Sequence, residues 1–331
     1  QAWMVISAVV GFLMLAMFIT FGFAVAQQLN DMKNLALTQQ ISLTKAYQRF
    51  VPPQLLKNLG RNSILDVRLG DQVDVEMSIM FSDIRSFTAI SEAMSPGENF
   101  AFVNAYLSRM GPIIRARRGY IDKFMGDGVM ALFPDSAADA VQAAIEMQME
   151  LHRYNDEQEI TGASRINVGI GINTGRMMLG TLGESDRMEG SVISDAVNLA
   201  SRLEGLTKRY GSKVIISEHT FRQLDTAKTV CREIDSVLVK GKDRPVKVFE
   251  VIDAEHPQIA RSKRDDLPQF NEAMSLYKNQ KFAKARDLFK AILVRSENDN
   301  VASLFVERCE KLLEEGWNPK TWDGVERLET K

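Results

Sequence analysis

The chain has 331 residues, 45% hydrophobic and 25% charged, the make-up of an ordinary globular protein with room for about two domains. Its net charge of −2 excludes a protein that grips nucleic acid through bulk positive charge. The two cysteines, Cys231 and Cys309, match no metal-ligand spacing and suit a reducing compartment.

The first element reads "WMVISAVVGFLMLAMFITFGFAVA", Trp3 to Ala26, without a charge. About 20 apolar residues suffice to cross a bilayer, and a buried core helix normally keeps a polar face. A signal peptide is the rival, since Ala24-Val25-Ala26 looks like a cleavage site. Its apolar run is too long, however, and no basic residue precedes it. Residues 1–26 are therefore expected to be a transmembrane helix. Lys33, Lys45, Arg49, Lys57, Arg61 and Arg68 follow with few acids, which places the rest of the chain on the cytoplasmic side of an inner or plasma membrane. The chain opens on Gln rather than Met, so a sensor region upstream is expected.

Leu29, Ala36, Leu43 and Phe50 recur every seventh residue. That predicts a helix over 27–50, one seam of a short parallel coiled coil, within a signalling segment and linker spanning 27–69. A lone amphipathic helix is the alternative. "VPP" at 51–53 ends the helix.

From about 70 to 254, strand and helix patterns alternate. "VEMSIMFSD" (75–83) reads as a buried strand, and 96–118 as a helix with Phe100, Val103, Leu107, Met110 and Ile114 on one face. "IDKFMGDGVMALF" (121–133) reads as two strands joined at Asp127-Gly128, with Gly128 serving the turn. Residues 137–154 form a helix, 165–175 a strand with small residues where backbones approach, 195–211 a helix closed by Gly211, and 213–217 a strand. The order β-α-β-β-α-β predicts an α+β fold of ferredoxin-like or palm type. Beyond a polar linker, 255–331 reads as a helical, tetratricopeptide-like extension with Ala273, Leu276, Tyr277, Phe282, Ala285 and Phe289 at repeat positions. One such pair is too little for an independent solenoid, so a cap on the preceding domain or a partner-binding stub is expected.

Two carboxylates stand out. Asp83 ends the first strand and leads into a turn rich in small and hydroxyl residues, which suits backbone N–H groups aimed at phosphate oxygens. Alone it reads equally well as a turn or cap residue, as does Asp127. In a palm-type sheet, though, the first strand and the central hairpin are neighbours, and the two acids converge at one sheet end. Such a pair repels itself unless a cation binds. Two Mg²⁺ about 4 Å apart form the clamp used for in-line phosphoryl displacement. Asn198 and Arg202, four apart on a helix, share a face framed by Val197, Leu199 and Leu203, which suits an interface more than open solvent.

"FSDIRSFT", "KFMGDGVMALF", "VGIGINTG" and "DAVNLASRLE" together resemble the class III nucleotidyl (adenylate/guanylate) cyclase catalytic domain over roughly 70–254. The resemblance implies a head-to-tail homodimer with active sites at the interface, ATP as substrate, and two Mg²⁺ per site with Mn²⁺ able to substitute. It implies that Asp83, Asp127 and the Ile84 carbonyl hold metal, and that Phe87 and Thr88 contact substrate in the turn after Asp83. Lys123 resembles the purine-selecting lysine of adenylate cyclases, Asn198 and Arg202 the pair that orients the ribose and stabilises the transferring phosphate. Arg176, Lys240 and Lys242 resemble triphosphate contacts, although the last two also read as ordinary surface lysines. One departure stands out: many members carry Asp where this chain has Ser191, and a hydroxyl both donates and accepts. A guanylate cyclase is thus the nearest rival. A diguanylate cyclase lacks support because the hairpin reads "MGDGV". A catalytically dead module would normally have lost one of the residues named above.

Overall fold

The computed structural model describes residues 2–160, 165–239 and 244–328, in two compact units that divide between Leu55 and Leu56. In the first unit, α1 (Ala2–Tyr47) is one unbroken helix. It is long and apolar enough to cross a membrane, with mean hydropathy 2.4 in its most apolar window and none of that window buried. The helix runs on through the heptad segment, whose seam residues Leu29 and Leu43 are 62% and 70% exposed. It stops at Tyr47, short of the expected Phe50, and residues 48–50 form a turn that leads into Pro52. A short α2 (Pro53–Asn58) follows.

The second unit is built on a nine-stranded sheet. Its elements in order are β1 (Gln72–Ile84), α3 (Phe87–Glu92), α4 (Pro96–Ala116), β2 (Tyr120–Met125), β3 (Gly128–Phe133), α5 (Ala137–Ile160), β4 (Val168–Glu184) and β5 (Arg187–Ile193). There follow α6 (Asp195–Tyr210), β6 (Val214–Ser217), α7 (Glu218–Phe221), β7 (Cys231–Val239), β8 (Val246–Val251), α8 (Pro257–Asp265), α9 (Leu267–Lys278), α10 (Phe282–Arg295), α11 (Asn300–Glu315) and β9 (Glu326–Leu328). The order β2-β3-β1-β4 with antiparallel neighbours is the expected βαββαβ arrangement. β6 then joins parallel to β4, and β8, β7 and β9 extend that side. The hairpin of β4 with β5 escaped the sequence reading, which ended the strand at Gly175.

Local chemistry explains the elements that carry the site. α4 starts on a capping box: Ser95 accepts from the Glu98 N–H while the Glu98 carboxylate accepts from the Ser95 N–H at 2.8 Å, and Pro96 opens the helix. α6 is capped by Ser194, whose hydroxyl accepts from the Ala196 N–H at 3.0 Å. It lies almost on the backbone of β4, because a side chain at Gly171 would put its Cβ 2.1 Å from the Glu204 nitrogen and 2.5 Å from the Ala200 carbonyl.

Two apolar cores hold the unit together. One packs β1, β3 and β4 beneath α4 and α5, through Met80, Tyr106, Met110, Val129 and Ile170. The other joins α6, β7 and β8 to the C-terminal helices, so Leu203, Ile234 and Val248 share one cluster with Phe270, Phe282, Phe289 and Phe305. The helical extension therefore has no core separate from the sheet. Charge ties the same seam. Arg232 is fully buried, donates to Glu250 at 2.6 Å and to both oxygens of Asp299 at 2.7 and 2.8 Å, and stacks over Phe270 at 4.2 Å. Lys263 donates to Glu250 at 2.5 Å and to Glu255 at 2.9 Å, while Asp299 also caps α11.

Candidate active site

Asp83 and Asp127 are brought together by strand register. Ser82 pairs with Val129 across β1 and β3, which sets the end of β1 beside the turn between β2 and β3. Met125 pairs with Gly128, so the turn residues are Gly126 and Asp127. This corrects the reading of the turn: Gly126, at φ 70°, supplies the left-handed backbone, and Gly128 opens β3. Gly128 has another use. A Cβ there would lie 3.3 Å from the Asp83 Oδ1, so the missing side chain makes room for the carboxylate. Asp127 is only 8% exposed, and its Oδ2 accepts the Ile84 N–H at 3.0 Å.

Burial first, then the hydrogen bond and charge of Asp127 and the charge of Glu204, push the Asp83 carboxyl up to about 7. The Asp83 carboxylate is thus costly to ionise where it stands. The donors fit a hard divalent cation: two carboxylates, which offer only oxygen, beside the backbone of Ile84. Among the described residues no cluster of three or more His, Cys, Asp or Glu side chains gathers at one point. Bound metal would thus draw its remaining ligands from water and substrate phosphate, the usual pattern for Mg²⁺. Arg85 and Glu204 belong to this neighbourhood and were not singled out in the sequence. Burial lowers Arg85, opposed by the charges of Glu204 and Asp83, and its guanidinium donates to the Ser212 carbonyl at 3.3 Å.

Beyond Asp83, Ser86 takes φ 57° to start α3. Phe87 stacks on Phe102 at 6.4 Å and borders an apolar cavity of about 690 Å³ with Phe100, Val103, Leu107 and Phe124. Thr88 is exposed at the first turn of α3.

Within β2, two residues before its last residue Met125, Lys123 meets Ser191. Its ammonium donates to Ser191 Oγ at 3.3 Å and to Glu189 Oε1 at 3.1 Å, and stands 3.6 Å from Asp122 Oδ2. Burial works against the Lys123 charge, but Glu189 and Asp122 outweigh it and hold the ammonium above its ordinary range. The β4–β5 hairpin makes this meeting possible by carrying Ser191 opposite Gly180, well past the expected end of β4. Asn198 and Arg202 share one face of α6, the first exposed and the second partly so. Arg176 lies opposite Glu76, seven residues before Asp83 along β1, and its guanidinium is engaged by Asp74 at 2.6 Å. Lys240 and Lys242 lie outside the described residues.

A ferredoxin-like sheet with an acid pair where its first strand meets the central hairpin, and a lysine on that hairpin bonded to a hydroxyl on β5, defines a nucleotide-cyclising catalytic domain. The chain belongs to the Adenylate and Guanylate cyclase catalytic domain family, which it matches over residues 71–252. It is 43% identical over 241 residues to an adenylate cyclase of Anabaena cylindrica, a match covering 69% of this chain and 47% of that protein. Among solved structures it resembles the adenylyl cyclase CyaB from P. aeruginosa, at TM-score 0.50 and 32% identity over 54% of this chain and 95% of that one. The guanylyl cyclase Cya2 is as similar, at TM-score 0.50 and 32% identity over 56% and 95%. The chain spans less than half the length of the Anabaena relative.

Proposed function

We propose that the protein is a membrane-anchored adenylate cyclase, converting ATP to 3′,5′-cyclic AMP and pyrophosphate at sites shared between two copies of the chain. The observation that carries this reading is the meeting around the β2–β3 hairpin of a metal-type carboxylate couple, Asp127 with Asp83 of β1, and a purine-type couple, Lys123 with Ser191 of β5. Asp83 and Asp127 would hold two Mg²⁺, or Mn²⁺ in their place; the metals supply charge that acidifies the ribose 3′-hydroxyl and neutralises the triphosphate. The turn at Phe87 and Thr88 borders the phosphates. Asn198 orients the ribose, and Arg202 stabilises charge spread over the α-phosphate, a task suited to a planar guanidinium. Arg176 exchanges Asp74 for phosphate oxygens, joined by Lys240 and Lys242. The arrangement resembles a head-to-tail dimer in which Asp83 and Asp127 of one copy work with Lys123, Asn198 and Arg202 of the other. The domains of the full chain run 1–26, 27–69, 70–254 and 255–331, with α1 in an inner or plasma membrane, the catalytic domain in the cytoplasm, and an upstream sensor acting through the helix.

Ser191 keeps a guanylate cyclase in view as the second reading. Product analysis decides between them: the full chain in lipid nanodiscs with Mg²⁺ or Mn²⁺ is expected to make cyclic AMP from ATP far faster than cyclic GMP from GTP. Equal or reversed rates overturn the assignment. Shared sites have their own test. Asp127→Ala and Arg202→Ala chains, each inactive alone, are expected to regain activity on mixing, because one site per heterodimer is then intact. No recovery argues against the head-to-tail pairing.

A further inference from the structure

Beyond α11 the chain turns back across the C-terminal helices and adds a strand to the catalytic sheet. Gly316, at φ 78°, starts the return. Two indoles then pin it: Trp317 meets the Phe282 ring edge-on at 4.7 Å, and Trp322 meets Tyr277 at 5.3 Å and Phe282 at 5.0 Å. Gln280 holds the stretch between them, donating to the Pro319 carbonyl and accepting from the Trp317 indole N–H, both at 3.1 Å. Gly324, at φ 67°, redirects the chain, and β9 pairs in parallel with the end of β7, from Val237–Glu326 to Val239–Leu328. Among the described residues the register of β7 with β8 stops at Val237–Val246, so β9 braces the last part of β7, immediately before Lys240.

Covering the apolar helix pair is the plainer role of this segment, but the two indoles suffice for that, and Glu326 is left over. Its carboxylate joins two arginines: one oxygen accepts from Arg209 in the last turn of α6, and the other stands 3.1 Å from the Arg308 guanidinium of α11. Arg308 also donates to Asp235 of β7 at 2.6 Å, and Asp235 accepts the hydroxyl of Tyr210, the final residue of α6, at 2.6 Å. One network thus ties the end of α6 to β7, and Glu326 closes it. Half-exposed ion pairs such as Glu326 with Arg209 add little stability singly, so this one matters for where it fixes the chain.

We propose that residues 317–328 are a strap that positions the phosphate-binding side of the active site, with Glu326 as its positioning residue. This rests on the cyclase reading, which gives Arg202 on α6 and Lys240 beyond β7 their phosphate roles. Glu326 sets the spacing of those two elements. It holds α6 through Arg209, about two turns beyond Arg202, and it belongs to the strand that braces β7. The purine contacts lie elsewhere: Lys123 is on β2, at the opposite edge of the sheet from β9, and Ser191 is on β5, which pairs with β4. Loosening the strap therefore shifts the groups that meet phosphate and spares those that meet the base.

The test uses the full chain in nanodiscs, with Glu326→Gln, which keeps the shape and removes the charge, and Trp322→Ala, which frees the other end of the strap. Pyrophosphate and cyclic AMP serve as product inhibitors: the first carries phosphates without a purine, the second a purine without the β- and γ-phosphates. In both variants kcat/KM for ATP and the affinity for pyrophosphate are expected to fall about 10- to 100-fold, the scale of a misplacement near 1 Å, with inhibition by cyclic AMP unchanged. Equal losses for both inhibitors mean that the segment only supports the fold, and overturn the proposal. So do unchanged kinetics in Glu326→Gln, which carries the test if Trp322→Ala fails to fold. Amide hydrogen exchange over residues 231–239 is measured on the same samples, and faster exchange is expected in the variants. Exchange that matches wild type overturns the strap. Wild type that forms no cyclic nucleotide, while the variants exchange faster over 231–239, sinks the cyclase reading and leaves the brace on β7 supported.

Discussion

Asp83 and Asp127 are an arrangement that folding alone would avoid. They are close, largely buried and of like charge, and Asp83 sits at about 7 because burial and its neighbour both oppose its ionisation. Such strain marks function. Asp83→Asn is expected to raise the melting temperature of the metal-free protein by relieving repulsion, while cutting cyclase activity to below about 1% through loss of a metal ligand. Calorimetry in chelator beside a cyclic AMP assay checks both; a variant that melts lower and stays active sinks the metal assignment. Both acids are legible in the sequence because their signals are local: a strand end and a glycine-flanked turn. The role of Gly128 is not, since it depends on what lies across the sheet. Nor are Asp122 and Glu204. Regular alternation would send Asp122 away from Lys123, and only a bulge, invisible in the pattern, reverses that. Glu204 reads as one more polar residue on an amphipathic helix until the helix is seated beside Asp83.

At the scale of elements, α6 deserves its position to β4. Glycines at the contact let the helix lie backbone to backbone on the strand, with Asn198 and Arg202 turned outward. The Cβ of Gly171→Ala would fall within 2.1 Å of the Glu204 nitrogen, and backbone cannot swing aside as a side chain does. The helix must shift. Overpacking of this kind typically costs about 1–3 kcal/mol. A far larger fall is expected in kcat than in ATP affinity, because in the proposed mechanism the displaced Asn198 and Arg202 orient the ribose and stabilise the transferring phosphate. If melting temperature drops while kcat is unchanged, α6 does not position the reaction. The small residues of "VGIGINTG" announced this close approach. The β4–β5 hairpin stayed hidden because "LGTLGESDRMEGSVI" mixes glycines and charges where an alternating strand was sought.

For the whole molecule, the C-terminal helices share a core with the sheet that carries the proposed catalytic residues. Their repeat-like spacing was legible, but the shared core was not, because it depends on the far side of β7 and β8, which the chain pattern does not mark. The buried ions at that seam make the dependence testable by acid. Burial alone would raise the Glu250 carboxyl, but Arg232 and then Lys263 outweigh it and hold it well below the ordinary carboxylate range. A carboxyl lowered by folding contributes stability above its unfolded value, near pH 4, and loses that contribution as pH falls toward its folded value. Glu255 works in the opposite direction, since burial raises it despite Lys263, so the acid limb reports the Glu250 contribution less that of Glu255. Glu250→Gln leaves Arg232 and Lys263 buried with one counter-charge fewer, and removing one partner of a buried pair costs about 3–5 kcal/mol. The variant is therefore expected to be less stable than wild type at pH 7, and the gap to narrow as pH falls below about 4, where wild type loses the same interaction. Urea unfolding from pH 7 down to pH 3 measures it. A gap that stays constant over that range means that the Glu250 charge is not what joins the extension to the sheet.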